Sequence, residues 1–530
     1  MFDITFPAPT VVDRMVGVFS PKAELNRLKA RAALRFFGPG GYTGASKTRP
    51  SLKEYNPRAR SADEDILGDV VDLRARTRDL VRNTPIATGA LNTMATHAVG
   101  SGLSMQSQID REFLGLSDDD ADSWERKAER FWRVWSETPS CDLTGHGDFG
   151  SLQDLVLRST LESGDILLVR RFVERRGDVL GLKIQLVEAD RISNPDREPN
   201  TDRLVDGVEL DTNGRPIRYH VSNRHPNALS LGFTDMLAWT TIPAFDRRNG
   251  ERRALHVFRK IRPGQTRGVP IFAPVIESLK QLSRYTEAEL MAAVVASFFT
   301  VFVKSGLAEQ GFEFAPLDSD DTDPPKDYEY KLGSGSVVGL ADGEEVQIAD
   351  PKRPNDSFDP FVMAVLRQVG AAIEVPFELL IKHFTSSYSA SRAALLEAWR
   401  AVVTRRTWLA RMFCQPSYEW AMAEAVMRGM LRAPGFFANP MFRRAWCGAR
   451  WIGPAQGQID PLKEINAAEK RIHIGVSTIA EETAQFTGGD WERNHAQQVK
   501  EKARRQRDGL GGAESPTATA VLEEPEDDDA

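Results

Sequence analysis

Cysteine is scarce. The 530 residues contain 3, Cys141, Cys414 and Cys447, none close to another. That spacing excludes a disulfide framework and a cysteine-rich zinc site, and it fits an intracellular protein. Long hydrophobic runs are also missing. The longest, Leu290 to Val303, is interrupted by Ser297 and Thr300. Its about 14 residues fall short of the roughly 20 that a membrane helix needs, so it is expected to pack against protein. A signal peptide is not expected: Asp3, Pro7 and Pro9 break the first apolar stretch, and no basic region precedes it. Positive charge is not in excess either. Lys and Arg number 68 against 75 Asp and Glu, a net charge of −7, which excludes a general nucleic-acid coat and leaves room for a local basic lining. Hydrophobic residues are 41%, enough for true cores, and the length suits about three or four domains.

Catalytic motifs are absent as well. A phosphate loop needs G-x-x-x-x-G-K-[ST], so that backbone N–H groups and the lysine converge on the phosphates. The nearest stretch, Gly38 to Thr48 (GPGGYTGASKT), has Ser46 before Lys47 and no leading strand; it reads as a hinge. Gly333, Gly335 and Gly339 lack the spacing and the βαβ setting of a dinucleotide loop. The eight histidines form no H-E-x-x-H pair, and His146 beside Asp142 and Asp148 reads as a polar loop. No G-x-S-x-G elbow occurs. Cys414 sits among apolar neighbours, as a buried thiol does. The adjacent acids Asp63/Asp65 and Glu344/Glu345 read as solvated charge. No catalytic residue, metal or cofactor is expected, and the chain reads as a structural or assembly protein.

What is present is an ordered succession of elements. Helical character over Ala23–Phe37 ends at Gly38-Pro39-Gly40-Gly41, and a basic polar stretch follows with Lys47, Arg49, Lys53, Arg58 and Arg60. One helix is expected over Asp63–Asn83 and another from Thr84-Pro85 to Gly100. Trp124, Ala128, Phe131, Trp132 and Trp135 share one helical face. Leu152–Leu161 is a further helix, closed by Gly164. Short β-type runs follow at Ile166–Phe172, Leu182–Val187, Gly207–Leu210, Ile217–Val221 and Leu255–Phe258. Strands that follow helices, without βαβ alternation, predict an α+β class. Helices return at Val275, Leu279, Leu282 and Tyr285, running into the apolar segment that ends at Val303. They return again at Phe358–Val369 and at Leu395–Phe413, and the C-terminal third is expected to be helical, with starts at Asp460-Pro461, Ser477 and Asp490. Residues 509–530 carry Glu514, Glu523, Glu524, Glu526, Asp527, Asp528 and Asp529 without a Lys or Arg, and are expected to be a solvated, disordered tail, with DNA mimicry as a second reading.

Five segments, in order, resemble the lambda-type portal proteins of tailed bacteriophages. They are Arg78–Leu91 with Val99–Leu103; Leu182–Ile192 with Gly207–Asp211 and Gly214–Pro216; His256–Phe258 with Arg262–Pro270; Val375–Leu380 with Tyr388–Glu397; and Trp451, Ile459–Pro461 and Lys463-Glu464. The resemblance implies a helix-rich α+β portal fold that assembles as a homo-oligomeric ring, usually a dodecamer, at one capsid vertex. It implies no hydrolytic activity, in keeping with the missing phosphate loop. Double-stranded DNA would pass through the ring during packaging and ejection. The partners implied are the large terminase subunit, the major capsid protein and scaffold, and head-completion or tail connector proteins, in a virion assembled in the host bacterial cytoplasm. On this basis residues 1–60 would be an N-terminal arm, 61–260 the wing, 261–304 a stem helix, 305–357 the clip, 358–391 the second stem helix and channel loop, 392–508 inner wing and crown helices, and 509–530 the acidic tail.

DNA must slide through such a ring, so many phosphate contacts would stall it. Few basic residues are therefore expected to face the channel. The candidates for its narrowest ring are Lys382, His383, Ser386, Ser387 and Tyr388. Trp399, Arg405, Arg406 and Trp408 are subunit-interface candidates, with an ordinary intrasubunit core as the other reading for the tryptophans. The rival functions are another head–tail adaptor or capsid protein, and a packaging ATPase or nuclease.

Overall fold

The computed structural model describes residues 10–36, 42–47, 49–227, 238–297, 301–305, 344–348, 357–384, 387–458 and 460–510. The chain divides into two units, Met1–Ser61 and Ala62–Ala530. In the first, α1 (Val11–Phe19) packs against α2 (Pro21–Phe36). Pro21 opens α2, where a missing N–H costs nothing.

The second unit begins with α3 (Ala62–Ile66) and α4 (Val70–Asn83). These are two helices where one is expected; the break falls at Leu67-Gly68-Asp69, and glycine is a poor residue for a helix interior. α5 (Pro85–Ala98) starts on its proline. Then come β1 (Ser104–Ser107), α6 (Arg111–Leu114), α7 (Asp118–Ser136) and α8 (Phe149–Ser163). Ser117 and Asp148 cap α7 and α8 by accepting from the N–H groups of Asp120 and Ser151. Seven strands follow: β2 (Asp165–Phe172), β3 (Leu182–Glu188), β4 (Leu204–Val205), β5 (Val208–Leu210), β6 (Pro216–Ser222), β7 (Trp239–Pro243) and β8 (Ala254–Phe258). They form a three-stranded sheet in the order β3-β2-β8 and a four-stranded sheet in the order β4-β5-β6-β7, with antiparallel pairing throughout. Helices outside antiparallel sheets make a mixed, helix-rich α+β fold.

α9 (Ile276–Ser297) leads to the antiparallel pair β9 (Val301–Ser305) and β10 (Glu344–Ile348). The apolar stretch expected to remain helical to Val303 therefore switches to strand, in a segment of β-branched and aromatic residues. α10 (Phe358–Ile373), α11 (Phe377–Ile381) and α12 (Tyr388–Leu409) follow. A π-turn at Ala410–Cys414 joins α12 to α13 (Gln415–Met427). The chain ends in α14 (Pro440–Trp446), β11 (Ala449–Ile452), α15 (Pro461–His473), α16 (Ile479–Thr487) and α17 (Trp491–Arg507). Asp460 and Asp490 cap α15 and α17 as the sequence suggests, whereas Thr478 rather than Ser477 caps α16. β1 pairs with β11 across most of the chain, Ser104 opposite Ile452.

β2 is buried on both faces. Ile166 and Leu168 join the main hydrophobic core, while Leu167 and Val169 join a smaller one with Val187, Val208, Tyr219 and Ile242. The period-2 alternation of a strand thus sorts one run of apolar residues into two cores. The main core is centred on aromatic rings: Trp132 lies 5.0 Å from Phe149 and 5.4 Å from Tyr418, and Phe149 lies 4.9 Å from Phe413. The helical face read in α7 therefore packs on the π-turn and α13.

At the head of β2, Asp165 is fully buried. Its carboxylate accepts from Arg267 Nε at 2.6 Å, Arg74 Nη2 at 3.1 Å, His256 Nε2 at 3.1 Å and the Gly268 N–H at 3.1 Å. Arg267 also donates to the carbonyls of Ala189, Ile192 and Asp206 and to the Asp206 carboxylate. Arg74 Nε donates to the Ser163 carbonyl at 2.8 Å. Burial alone would raise the Asp165 carboxyl, but Arg267 and Arg74 hold it well below the usual range. Burial lowers His256, against the pull of Asp165. Gly268 packs so tightly on Gly164 that a Cβ would overlap the Gly164 carbonyl.

Removing one partner leaves buried charge uncompensated. Asp165→Asn is expected to destabilise the chain by about 3–5 kcal/mol in urea unfolding. The depressed pKa of His256 means its stabilising neutral form is complete above about pH 6.5, the ordinary imidazole value, and is lost as pH falls below it. The stability difference between the wild type and His256→Gln is therefore expected to shrink between pH 7 and pH 5. A difference independent of pH would contradict this.

Candidate functional site

The chemistry of small-molecule sites is poorly represented among the described residues. Burial pushes the Cys141 thiol up to about 12 and raises Cys414 and Cys447 too, so these are inert core thiols. One trio has the geometry of metal ligands, Glu188, Asp190 and His225, but Arg78 already pairs with both carboxylates. The Asp142 carboxylate near His146 accepts from the N–H groups of Thr144, His146 and Gly147, which organises the turn before α8. One broad cleft is lined by both charge signs, but Arg170 and Arg443 are paired with Glu251 across it, and Arg406 is bound to carbonyls.

The α10–α12 segment is more specific. α10 closes with Glu374 in the left-handed region, φ 59°. Gly370 makes the turn possible, because a Cβ there would meet the Val375 carbonyl at 2.6 Å. Val375-Pro376 then starts α11, which ends on Lys382 at φ 55°. The His383 N–H returns to the Glu378 carbonyl at 3.1 Å. Ser387 caps α12 by accepting from the Ala390 N–H.

Two arginines fix α12 in place, one against the α10–α11 turn and the other against the end of α5. Arg405 is buried and donates to the Ile373 carbonyl at 2.8 Å and the Glu374 carboxylate at 3.0 Å. Arg406 donates to the carbonyls of Ala98, His97 and Pro454 and lies 5.0 Å from the Trp399 ring. Burial lowers both guanidinium pKa values, Arg406 to about 10. Trp399 and Trp408 are half-buried against the main core. Lys382, His383 and Ser387 are exposed on the connection, and Phe384 beside them is 49% exposed. Tyr388 opens α12. Ser386 lies outside the described residues, as do most of 305–357 and the tail. Nothing in the sequence pattern marked Arg405 and Arg406 as donors to carbonyls, since that role depends on where α5 and α10 end.

A second surface lies on α9 and α10, which run antiparallel. Tyr285 sits 5.5 Å from Phe358 and 5.1 Å from Phe361. α9 then continues about 12 residues, roughly 18 Å, past that contact. On this part Leu290 is 63% exposed and Met291 61%, and Phe361 at the start of α10 is 51% exposed. With Val294, 43% exposed and one turn on, they leave apolar surface exposed among the described residues. The sequence shows this part only as the start of the apolar run Leu290–Val303, expected to pack against protein; Leu290 and Met291 are instead exposed.

Arg405→Ala is expected to destabilise the chain by about 2–3 kcal/mol, since it leaves a buried carbonyl and a carboxylate without their donor. Arg405→Lys should recover only part of this, because one ammonium does not reproduce the planar fork. Thermal unfolding of both variants checks it.

Comparison with known proteins places this arrangement. The lambda family of phage portal proteins matches residues 48–406. The portal protein of Escherichia phage N15 is 27% identical over 495 residues, covering 89% of this chain and 90% of that protein. Portal protein B of Escherichia phage lambda is 26% identical over 491 residues, covering 89% and 91%. A chain in the virion of a native gene transfer agent particle aligns with a TM-score of 0.46 at 12% identity, over 89% of this chain and 98% of that one. With the match extending from residue 48 through α10 and α11 into α12, the chain belongs to the lambda family of phage portal proteins.

Proposed function

We propose that identical copies of this portal protein close into a dodecameric ring at one capsid vertex. Double-stranded DNA passes through its channel in packaging and ejection. The large terminase subunit docks first, and head-completion or tail connector proteins replace it. The observation that carries the ring is the uncovered apolar face of α9, with Leu290 and Met291 exposed beyond the contact with α10. A neighbouring copy of the same helix pair buries it. Ring closure suits a chain whose wedge leaves two faces to cover.

In this reading residues 61–260 form the wing, α9 and α10 the stem, and 305–357 the clip. The α11–α12 connection faces the channel through Lys382, His383, Ser386, Ser387 and Tyr388. Trp399, Arg405, Arg406 and Trp408 mark the side of α12 that meets the next subunit, which the half-exposed tryptophan edges reach. A net charge of −7 suits a channel that does not grip phosphate. The protein assembles in the host cytoplasm against scaffold and major capsid protein, and its role is structural.

Native mass spectrometry and negative-stain imaging of one purified sample test the ring. The expected result is a closed ring with a channel at least about 20 Å wide, enough for a duplex. Leu290→Asp with Met291→Asp is expected to leave folded single chains that do not close, with circular dichroism unchanged. Rings formed by this variant would remove α9 from the interface. ATP turnover lost on Lys47→Ala would overturn the structural role.

A further inference from the structure

β1 has carboxylates in place of a second neighbouring strand. β11 pairs with it along one edge, and the Gln108 N–H continues that pairing to the Gly448 carbonyl at 2.8 Å. The N–H groups of Ser107 and Ile109 point the other way. Side chains of α7 receive them: Glu129 Oε1 accepts from Ser107 at 3.0 Å and Glu125 Oε1 from Ile109 at 2.7 Å. A backbone N–H taken out of water needs such a partner. Positions 122, 125 and 129 share one side of α7, so Asp122 stands beside the two glutamates.

α17 begins at the same edge. Gln106 on β1 donates to the Asp490 carboxylate at 3.4 Å, and Asp490 caps the helix by accepting from the Glu492 N–H at 2.9 Å. No residue of α17 is buried. Its root therefore adds Asp490 and Glu492 to the carboxylates of α7. Cations are fewer here. Arg493 lies 3.8 Å from Asp490, Arg126 on α7 attracts Glu492, and Arg450 stands opposite Gln106 on β11. Arg133, farther along α7, pairs with Glu137. β1 itself carries no charge, and on the core side Tyr418 and Cys447 are kept neutral by burial. Partial burial raises the Glu125 carboxyl to about 7, and Glu492, Asp122 and Glu129 push it the same way against the Ile109 bond. Partial desolvation raises Glu129 and Glu492 as well, and Asp490 adds to each.

We propose that Asp122, Glu125, Glu129, Asp490 and Glu492 form a proton-controlled latch, which holds the root of α17 against β1 and α7 while the carboxylates share protons and releases it when all are ionised. A 17-residue polar helix without tertiary contacts is marginal in water, so release frays it. The sign follows from the carboxyls. A group raised by docking favours the docked state fully below its ordinary value of about 4.3, and that advantage is lost as pH rises through about 7. The contact lies within one chain, so the latch goes beyond the ring proposal and does not rest on it.

Amide hydrogen exchange of the full chain, corrected for the pH dependence of intrinsic exchange, reads the latch. Protection of 491–507 is expected to fall about tenfold between about pH 5.5 and about pH 8, the equivalent of one pKa unit, while that of α13 does not fall. Glu492→Gln is expected to lessen the fall. Glu125→Gln combined with Glu129→Gln and Glu492→Gln is expected to abolish it, since an amide oxygen still accepts from Ser107 and Ile109. Protection of α17 that is independent of pH in the wild type overturns the latch, and so does a fall that persists in the triple variant. If the triple variant also loses α13 protection, Glu492→Gln alone decides: a fall equal to that of the wild type refutes the proposal. An imidazole also changes charge in this range, and His495 stacks on Trp491 at 5.1 Å. His495→Gln is expected to keep the fall; its loss there would assign the switch to the imidazole and overturn the carboxylate latch.

Discussion

Everything around the first sheet depends on a single buried carboxylate. Asp165 gathers Arg267, Arg74, His256 and the Gly268 N–H at the point where α4, the end of α8, β2 and β8 meet. Taking such charges out of water is costly, and the arrangement is tolerable only because hydrogen bonds satisfy each group. Arg267 completes it by donating to the carbonyls of Ala189 and Ile192. The same segment leads directly into α9, with the Ile271 N–H bound to the Leu161 carbonyl at 2.9 Å. The direction in which α9 leaves the body is therefore set by this ionic cluster and by the Gly164–Gly268 contact.

This gives a physical reason for the Arg262–Pro270 segment, one of those on which the family resemblance rests. Gln265 accepts from the Ile261 N–H at 2.8 Å and donates to the Arg267 carbonyl at 2.7 Å, shaping the loop from within. Thr266 ties it to Asp63 through backbone N–H and hydroxyl. Arg267 enters the core, and Gly268 permits the close approach. The motif is an architectural joint between sheet and helix. It needs no catalytic chemistry.

A division of labour runs through the rest of the second unit. The body, centred on Trp132, Phe149, Phe413 and Tyr418, has its aromatic surface covered within one chain. α9 beyond Tyr285 and α17 throughout do not. α9 leaves Leu290 and Met291 exposed, and α17 leaves Lys500 and Arg504 exposed on one face. Between them, Arg405 ties α12 to the α10–α11 turn and Arg406 ties it to the end of α5, while Lys382 and His383 on the α11–α12 connection stay exposed.

Much of the secondary structure follows from local chemistry, and the sequence alone settles it. Thr84-Pro85 starts α5, Asp460 and Asp490 cap their helices, and the spacing of Trp124, Trp132 and Trp135 marks the buried face of α7. The family was legible too, because its segments keep their order. Long-range pairing was not legible. Ser104–Ser107 has no alternating pattern and becomes a strand only because Ala449–Ile452 lies against it. Nothing near Asp165 in sequence announces that Arg74, His256 and Arg267 converge on it, since burial of a charge depends on groups brought from about 100 residues away. The apolar run after Leu290 was visible as a pattern, but only tertiary structure decided that it divides between helix and strand and that Leu290, Met291 and Val294 stay exposed. Local propensities and caps depend on neighbours within a few residues, so sequence determines them. Burial, ion pairing and exposed faces depend on which distant surfaces meet, so the folded chain decides those.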